Sequence, residues 1–126
     1  MKLTLAYSIL LASFFLPFVC AGIAKAGRRD YDNASPREWE QRLDGYRRRA
    51  VAAMTNTFEA LPFFAAAVIV AHQLDAPQAR LDALAVSWLV LRAAYVGLYV
   101  AGRATARSLV WLASVALTVW IFLLGA

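Results

Sequence analysis

Residues 50–71 read AVAAMTNTFEALPFFAAAVIVA, and this stretch decides the class of fold. It is long enough to cross a bilayer, which takes about 20 mostly apolar residues in a helix. Yet it contains Asn56, Glu59 and Pro62, each of which is unfavourable inside a membrane helix. The combination indicates a transmembrane helix with a polar site built into it.

Three further apolar segments lie at residues 3–26, 81–101 and 109–125. Each is about long enough to span a membrane, and hydrophobic residues make up 62% of the 126-residue chain. Little sequence remains for a water-soluble domain. We therefore predict an all-α integral membrane protein, in which a four-transmembrane-helix bundle forms a single domain over residues 1–126.

The first apolar segment follows Lys2 and has the position of a secretory signal peptide. Its apolar core is longer than that of a typical signal peptide, and Phe18 and Val19 precede Cys20 where lipoprotein cleavage needs small residues. We therefore expect a retained transmembrane helix that Pro17 bends. Cys20 is the one cysteine of the chain, and we expect it to be a packed thiol.

Basic residues are distributed unevenly between the connecting segments. Residues 25–49 carry eight of the 13 lysines and arginines and residues 102–108 carry two, whereas the opposite side has only Lys2 and Arg80. By the positive-inside rule, the loops at residues 27–49 and 102–108 are cytoplasmic and both termini lie on the other side. The positive net charge of +5 is thus in part a topology signal, and no nucleic-acid partner is expected.

The first loop also contains a helix start. In Ser35-Pro36-Arg37-Glu38 the serine suits the N-cap position, the proline the first helical position and the glutamate the third. We predict a short cytoplasmic helix that carries Trp39.

The polar residues of the second and third spans fall at matching depths. Asn56 and Glu59 share a helix face, and the third span contains Arg92, with Tyr95 and Tyr99 at helical spacing. Counted from the cytoplasmic ends, Glu59 and Arg92 both lie roughly 14 Å deep. A lone charge in hydrocarbon costs about 3 kcal/mol or more. We therefore expect Glu59 and Arg92 to pair, within one chain or between copies, with Asn56 and Tyr95 completing the hydrogen bonding.

Two interpretations of this polar ladder remain open. Interhelical polar contacts of this kind can simply hold helices together, or the ladder can line a cavity that opens toward the arginine-rich rim. His72, near the far end of the second span, has no acidic or cysteine partner at ligand spacing, so no metal site is expected.

Four short stretches carry a family resemblance: Arg49 with NTFEALPFF at residues 56–64, RAAYVGLY at 92–99, RSLVW at 107–111 and DNASPR at 32–37. The first three resemble the second helix, the third helix and the start of the fourth helix in the MAPEG family, the membrane-associated proteins of eicosanoid and glutathione metabolism. The last is similar to the short bacterial members. The resemblance covers essentially the whole chain and implies a bacterial inner-membrane location.

The resemblance implies a homotrimer of four-helix protomers surrounded by membrane lipids. In the family's enzymes glutathione is a co-substrate, bound between protomers near the cytoplasmic side, and an arginine stabilises its thiolate. The positions expected to bind glutathione are Asn56, Glu59, Arg92, Tyr95 and Tyr99, with Arg48 and Arg49 as candidates for its carboxylates. The candidates for the thiolate-stabilising arginine are Arg103 and Arg107. Arg107 also suits a role as an anchor of the fourth helix at the membrane surface, and the run Arg47, Arg48 and Arg49 suits a role as a topology anchor.

The chain departs from the family's enzymes at two positions of this face. Those enzymes carry an arginine four residues before the asparagine and a glutamine or histidine two residues before it, where this chain has Ala52 and Met54. The sequence is compatible with two functions. One is a glutathione-dependent transferase or peroxidase acting on lipophilic substrates, and the other is a non-catalytic membrane scaffold or lipid-binding protein.

Overall fold

A computed structural model describes residues 2–126, and this range contains six α-helices and no β-strand. They are α1 (Leu5–Phe14), α2 (Leu16–Lys25), α3 (Pro36–Gln41), α4 (Gly45–Gln73), α5 (Gln78–Val100) and α6 (Ala104–Leu123). Four spans are long and apolar enough to cross a membrane: α1 and α2 together, α4, α5 and α6. The predicted all-α four-span bundle is confirmed.

Two helices extend beyond the apolar segments by which they were predicted. α4 begins at Gly45 rather than near residue 50, and α6 begins at Ala104 rather than near residue 109. Hydropathy identifies only the part of a helix that crosses the hydrocarbon core. The helix itself can continue into the polar headgroup region, because its backbone hydrogen bonds form there as well. The connection between α5 and α6 is therefore only residues 101–103, and Arg107 lies in the first turn of α6.

The first span is interrupted at Phe15, as Pro17 predicts. Proline has no N–H to donate to the carbonyl of Ser13, and its ring clashes with that carbonyl in a continuous helix. The chain restarts as α2 with the proline in its first turn. The Ser13 hydroxyl turns back to the Ile9 carbonyl at 2.7 Å. Cys20, on α2, is fully buried, as expected of a packed thiol.

The bundle has two ends, which we name by what they carry. The α3 end is the one at which α2 and α5 finish and α4 and α6 begin. The terminal end is the opposite one, at which α1 begins and α6 finishes.

Toward the terminal end, the Phe64 ring of α4 stacks on Trp88 of α5, with 3.8 Å between the ring centroids. Buried alanines such as Ala67 and Ala71 surround this pair. Small side chains allow helices in a membrane to approach closely.

The predicted short helix is present as α3, and Trp39 fixes it to the bundle. Trp39 is buried against Ala24, Leu43 and Ala50. Ser35 occupies the N-cap position, although its side chain makes no capping hydrogen bond. In the loop before α3, Arg28 donates to both carboxylate oxygens of Asp30 and thereby holds the pKa of that carboxyl well below its usual range.

His72 ties the terminal end together. Its Nδ1 lies 2.7 Å from the Val68 carbonyl oxygen. Because a carbonyl can only accept, Nδ1 carries the proton of the neutral ring and donates it to this bond. The other ring nitrogen, Nε2, then accepts from the Thr4 hydroxyl at 2.8 Å. Its ring also stacks on Tyr7. Among residues 2–126 no group of three potential metal ligands lies together. His72 therefore acts as a structural link between α4 and the start of α1.

Candidate functional site

A cavity of about 380 Å³ lies between α4, α5 and α6, halfway along the spans. Most of its wall is apolar or aromatic and is formed by Ala60, Phe63, Trp88, Trp111, Val115 and Val119. Its polar lining residues are Asn56, Glu59, Arg92, Ser114 and Thr118. Charged groups in a mostly apolar cavity inside a membrane span indicate a functional site.

Arg92 is the central residue of this site and is 0% exposed. Its Nη2 donates to Asn56 Oδ1 at 2.8 Å and to Thr57 Oγ1 at 3.2 Å. Its Nε and Nη1 are buried, and no hydrogen-bond partner lies near them within residues 2–126. The guanidinium carbon lies 4.2 Å from the centre of the Tyr95 ring, a cation–π distance. Arg92 therefore offers two nitrogen atoms, Nε and Nη1, as donors to an additional acceptor.

The predicted ion pair between Glu59 and Arg92 is wrong within one chain. Glu59 makes no ion pair and no hydrogen bond among residues 2–126, and its side chain is exposed. On α4, Thr57 lies about 100° from Asn56 in one direction, whereas Glu59 lies about 60° away in the other. Arg92 approaches from the Thr57 side. The prediction paired these two charges because they lie at the same depth. Depth does not determine the direction in which each side chain points around its helix axis. Pairing between copies stays a prediction.

Above the cavity, four side chains form a stack that continues toward the α3 end. Arg92 lies against Tyr95, Tyr95 meets Tyr99 edge-on with 5.7 Å between ring centroids, and the Arg107 guanidinium lies 4.2 Å from the Tyr99 ring centre. We name these residues the cation–tyrosine stack. Tyr95 was expected to hydrogen-bond in the ladder, but it contacts Arg92 through its ring face. The two tyrosines thus lie between the two cations.

The two candidates for the thiolate-stabilising arginine differ in position. Arg107 is half-buried and belongs to the cation–tyrosine stack. Arg103 is exposed, and its side chain makes no hydrogen bond or cation–π contact within residues 2–126. Only Arg107 lies beside the predicted ligand-binding tyrosines.

The arginines at the start of α4 have a role that the sequence did not reveal. Arg47 donates to the Ala24 carbonyl at 2.9 Å, Arg48 to the Gln41 carbonyl at 3.3 Å, and Arg49 to the Val100 carbonyl at 3.0 Å. These carbonyls lie at the C-terminal ends of α2, α3 and α5, respectively.

Successive residues of a helix point about 100° apart, so three consecutive arginines reach three different neighbours. Helix C-termini leave carbonyls without partners and favour cations. Arg48 and Arg49, predicted as ligand contacts, are therefore placed at helix ends outside the Arg92 cavity.

The two departures from the family pattern lie outside the Arg92 cavity. Ala52 lines a separate groove of about 240 Å³ between α3 and α4, beside the Arg37–Glu40 ion pair. Met54 is buried in a cluster with Cys20 and Tyr95. Met54 thus supports the cation–tyrosine stack from behind, where its apolar side chain is favourable.

Among the residues of the site that sequence reasoning missed are Trp88, Thr57 and Thr118. Trp88 precedes Arg92 by four residues and therefore shares its helix face, a spacing that could have identified it. Thr57 and Thr118 gave no periodic signal. Thr118 on α6 accepts from Trp88 Nε1 at 3.0 Å and so fixes the tryptophan that forms one wall of the cavity.

The bundle and its buried arginine define a four-span helical membrane protein with a polar site inside the membrane region. The sequence model of the MAPEG family matches residues 4–126, which is nearly the whole chain. The chain belongs to the MAPEG family. No curated protein and no solved structure matches it.

Proposed function

We propose that this protein binds glutathione beside Arg92 and the cation–tyrosine stack and transfers it to lipophilic electrophiles, or uses it to reduce lipid hydroperoxides. The observation that carries the proposal is the buried Arg92, which has two unpartnered donor nitrogens and no acidic partner within residues 2–126. An uncompensated cation inside a membrane span is costly. An anionic ligand that approaches this arginine removes that cost.

The charges of glutathione match the residues available to it. The ligand has two carboxylates, one ammonium group and one thiol. Arginine binds carboxylates through strong, charge-assisted hydrogen bonds, and the unpaired Glu59 carboxylate suits the ammonium group. Arg107 lies at the outer end of the stack, where its positive charge favours the thiolate form of the ligand.

The chemistry of such a site follows from the thiolate. In conjugation, the sulfur attacks an electrophilic carbon, an S–C bond forms, and the leaving group departs with its electron pair. In peroxide reduction, the thiolate sulfur attacks the terminal oxygen of the hydroperoxide and the O–O bond breaks. The alkoxide leaves with the electron pair and takes up the proton that the thiol released, which gives an alcohol. The sulfenic acid then reacts with a second glutathione to form a disulfide and water. The apolar wall around Phe63, Trp111 and Val119 supplies the surface on which a lipophilic substrate packs.

We further propose that copies of the chain associate as a homotrimer within a bacterial inner membrane, in contact with its lipids. Glu59 and Phe63 lie on one exposed face of α4, and a carboxylate directed at lipid is unfavourable. In α6, only Ser114 and Ile121 are buried within the chain. Both surfaces are therefore available for contacts between copies.

The proposed orientation places the α3 end in the cytoplasm and both termini outside. Reporter fusions after residue 126 are expected to show activity of a periplasmic reporter and none of a cytoplasmic one. A reporter inserted in the loop before α3 should give the opposite result. A cytoplasmic C-terminus would reverse the orientation and place the proposed site on the side away from cellular glutathione.

The binding proposal is tested by titrating the purified protein with glutathione in detergent and in lipid nanodiscs. We expect saturable binding by wild-type protein and weaker binding by Arg92→Met, in which the anion-binding group is absent. The S-methyl thioether of glutathione serves as a control, because it retains the carboxylates and ammonium group. Folded wild-type trimer that binds neither compound would instead favour the scaffold function.

A further inference from the structure

The corner between α5 and α6 consists of residues 101–103 and has an ordered hydrogen-bond pattern. Gly102 has a φ of 75°, which favours glycine. Its N–H donates to the Tyr99 carbonyl at 3.0 Å, and the Arg103 N–H donates to the Leu98 carbonyl at 2.9 Å. This is the Schellman pattern of helix ends. It leaves the carbonyl of Val100, the last residue of α5, for another donor.

That donor is Arg49 of α4, whose Nε lies 3.0 Å from the Val100 carbonyl. The guanidinium also lies against Gly102, because a Cβ built on this glycine would be 3.7 Å from both Cζ and Nε of Arg49. One side chain therefore contacts both the last residue of α5 and the glycine at which the chain turns.

The corner determines where Arg107 lies. α6 begins at Ala104, and the Arg107 N–H bonds to the Arg103 carbonyl at 2.9 Å, so Arg107 is one helical turn beyond the corner. Tyr99, which it contacts, is in the last turn of α5. The two partners of this contact thus flank the corner, and a change in its geometry separates them.

We propose that Arg49 is a positioning residue. It fixes the α5–α6 corner and thereby keeps Arg107 over Tyr99, although it does not touch the ligand itself. The structural part of this inference stands alone, whereas its effect on glutathione rests on the proposed function.

Arg47 provides a matched control within the same turn of α4. It donates to the carbonyls of Ala24 and Ala26 at the end of α2. A Cβ on Gly27, which has a φ of 78°, would lie 3.5 Å from Arg47 Nη2. Arg47 and Arg49 therefore make the same kind of contact at two helix ends, of which only the second adjoins the cation–tyrosine stack.

The experiment compares Arg49→Lys with Arg47→Lys in the full-length protein, since lysine keeps the charge but lacks the planar donor group. Amide hydrogen exchange is measured first and requires no ligand. We expect Arg49→Lys to accelerate exchange severalfold at residues 101–107 and to leave residues 26–28 unchanged. We expect Arg47→Lys to accelerate exchange at residues 26–28 and to leave residues 101–107 unchanged. The Kd for glutathione is measured second. We expect the Kd to rise about threefold in Arg49→Lys, which is a smaller effect than the loss of a full charge-assisted hydrogen bond would have. In Arg47→Lys we expect the Kd to stay unchanged.

Each result decides the inference. Unchanged exchange at residues 101–107 in Arg49→Lys overturns it, whereas accelerated exchange with an unchanged Kd overturns the proposed effect of Arg49 on glutathione. Equal weakening of glutathione binding in both variants indicates a general loss of helix capping and also overturns it. If wild-type protein binds no glutathione, the proposed function fails, and the exchange data alone decide whether Arg49 holds the corner.

A second pair of variants covers the case in which Arg49→Lys does not fold. Gly102→Asn places a side chain where the Arg49 guanidinium lies, and asparagine tolerates the left-handed backbone. Gly27→Asn is its control at the end of α2. The same contrast between residues 101–107 and residues 26–28 is expected from this pair.

Discussion

Replacing Asn56 with leucine is expected to lower the free energy of unfolding by roughly 1.5–3 kcal/mol, the range for hydrogen bonds to charged groups. The substitution removes the Oδ1 acceptor that lies 2.8 Å from Arg92 Nη2 and puts an apolar side chain beside a buried cation. Glu59→Gln, three residues away, is expected to change the stability of a single chain little, because within residues 2–126 Glu59 makes no hydrogen bond or ion pair with Arg92. Denaturant unfolding in a fixed detergent measures both variants.

The double variant Asn56→Leu with Arg92→Met serves as the control for this prediction. Removing one member of a buried polar contact leaves its partner uncompensated, whereas replacing both by apolar groups often restores stability. We therefore expect the double variant to be more stable than Asn56→Leu alone. If Glu59→Gln destabilises the protein as strongly as Asn56→Leu, then Arg92 depends on Glu59 after all, through a contact between copies.

The four spans could be predicted because the length of an apolar segment is a property of the sequence alone. The break at Pro17 and the start of α3 at Pro36 were also predictable, since proline restricts the backbone locally. The helix ends were less accurate. Gly45 and Ala104 begin helices in polar surroundings, where hydropathy gives no signal but the backbone continues to form hydrogen bonds.

The partners of the polar residues could be predicted only in part. Helical spacing and depth placed Asn56 and Arg92 in one polar ladder between neighbouring helices, and these two residues do meet. The choice between Asn56 and Glu59 depends on how α4 and α5 are rotated about their axes, which packing decides. A long arginine side chain also reaches beyond its own depth. Matching residues by depth alone therefore selected the wrong acceptor.

The contacts of Arg47, Arg48 and Arg49 could not be derived from sequence. A run of arginines at a membrane boundary is typical of a topology signal. Which carbonyl each guanidinium reaches depends on which helix ends lie beside α4, and this is known only once the bundle is assembled. The same applies to Arg107 and Tyr99, which the short corner at Gly102 brings together.

Arg107→Gln is expected to slow glutathione-dependent turnover at neutral pH by roughly tenfold. A free thiol has a pKa of about 8.5, and a neighbouring cation lowers it. Without Arg107, the pKa of the bound thiol is higher and less thiolate is present at pH 7. A more basic thiolate is also a better nucleophile, which offsets part of the loss. Arg103→Gln is the matched control and is expected to retain the wild-type rate.

The pH dependence separates this role from a structural one. Activity follows the thiolate and so rises with pH through the thiol pKa; the rising limb of the Arg107→Gln profile should therefore be displaced to higher pH, and the two rates should converge at alkaline pH. Stability is expected to change little, because the lost cation–π contact with Tyr99 is offset by removing a cation that the helix dipole opposes in the first turn of α6. A variant that unfolds more readily, or that loses activity equally at every pH, would make Arg107 a structural anchor of α6 instead.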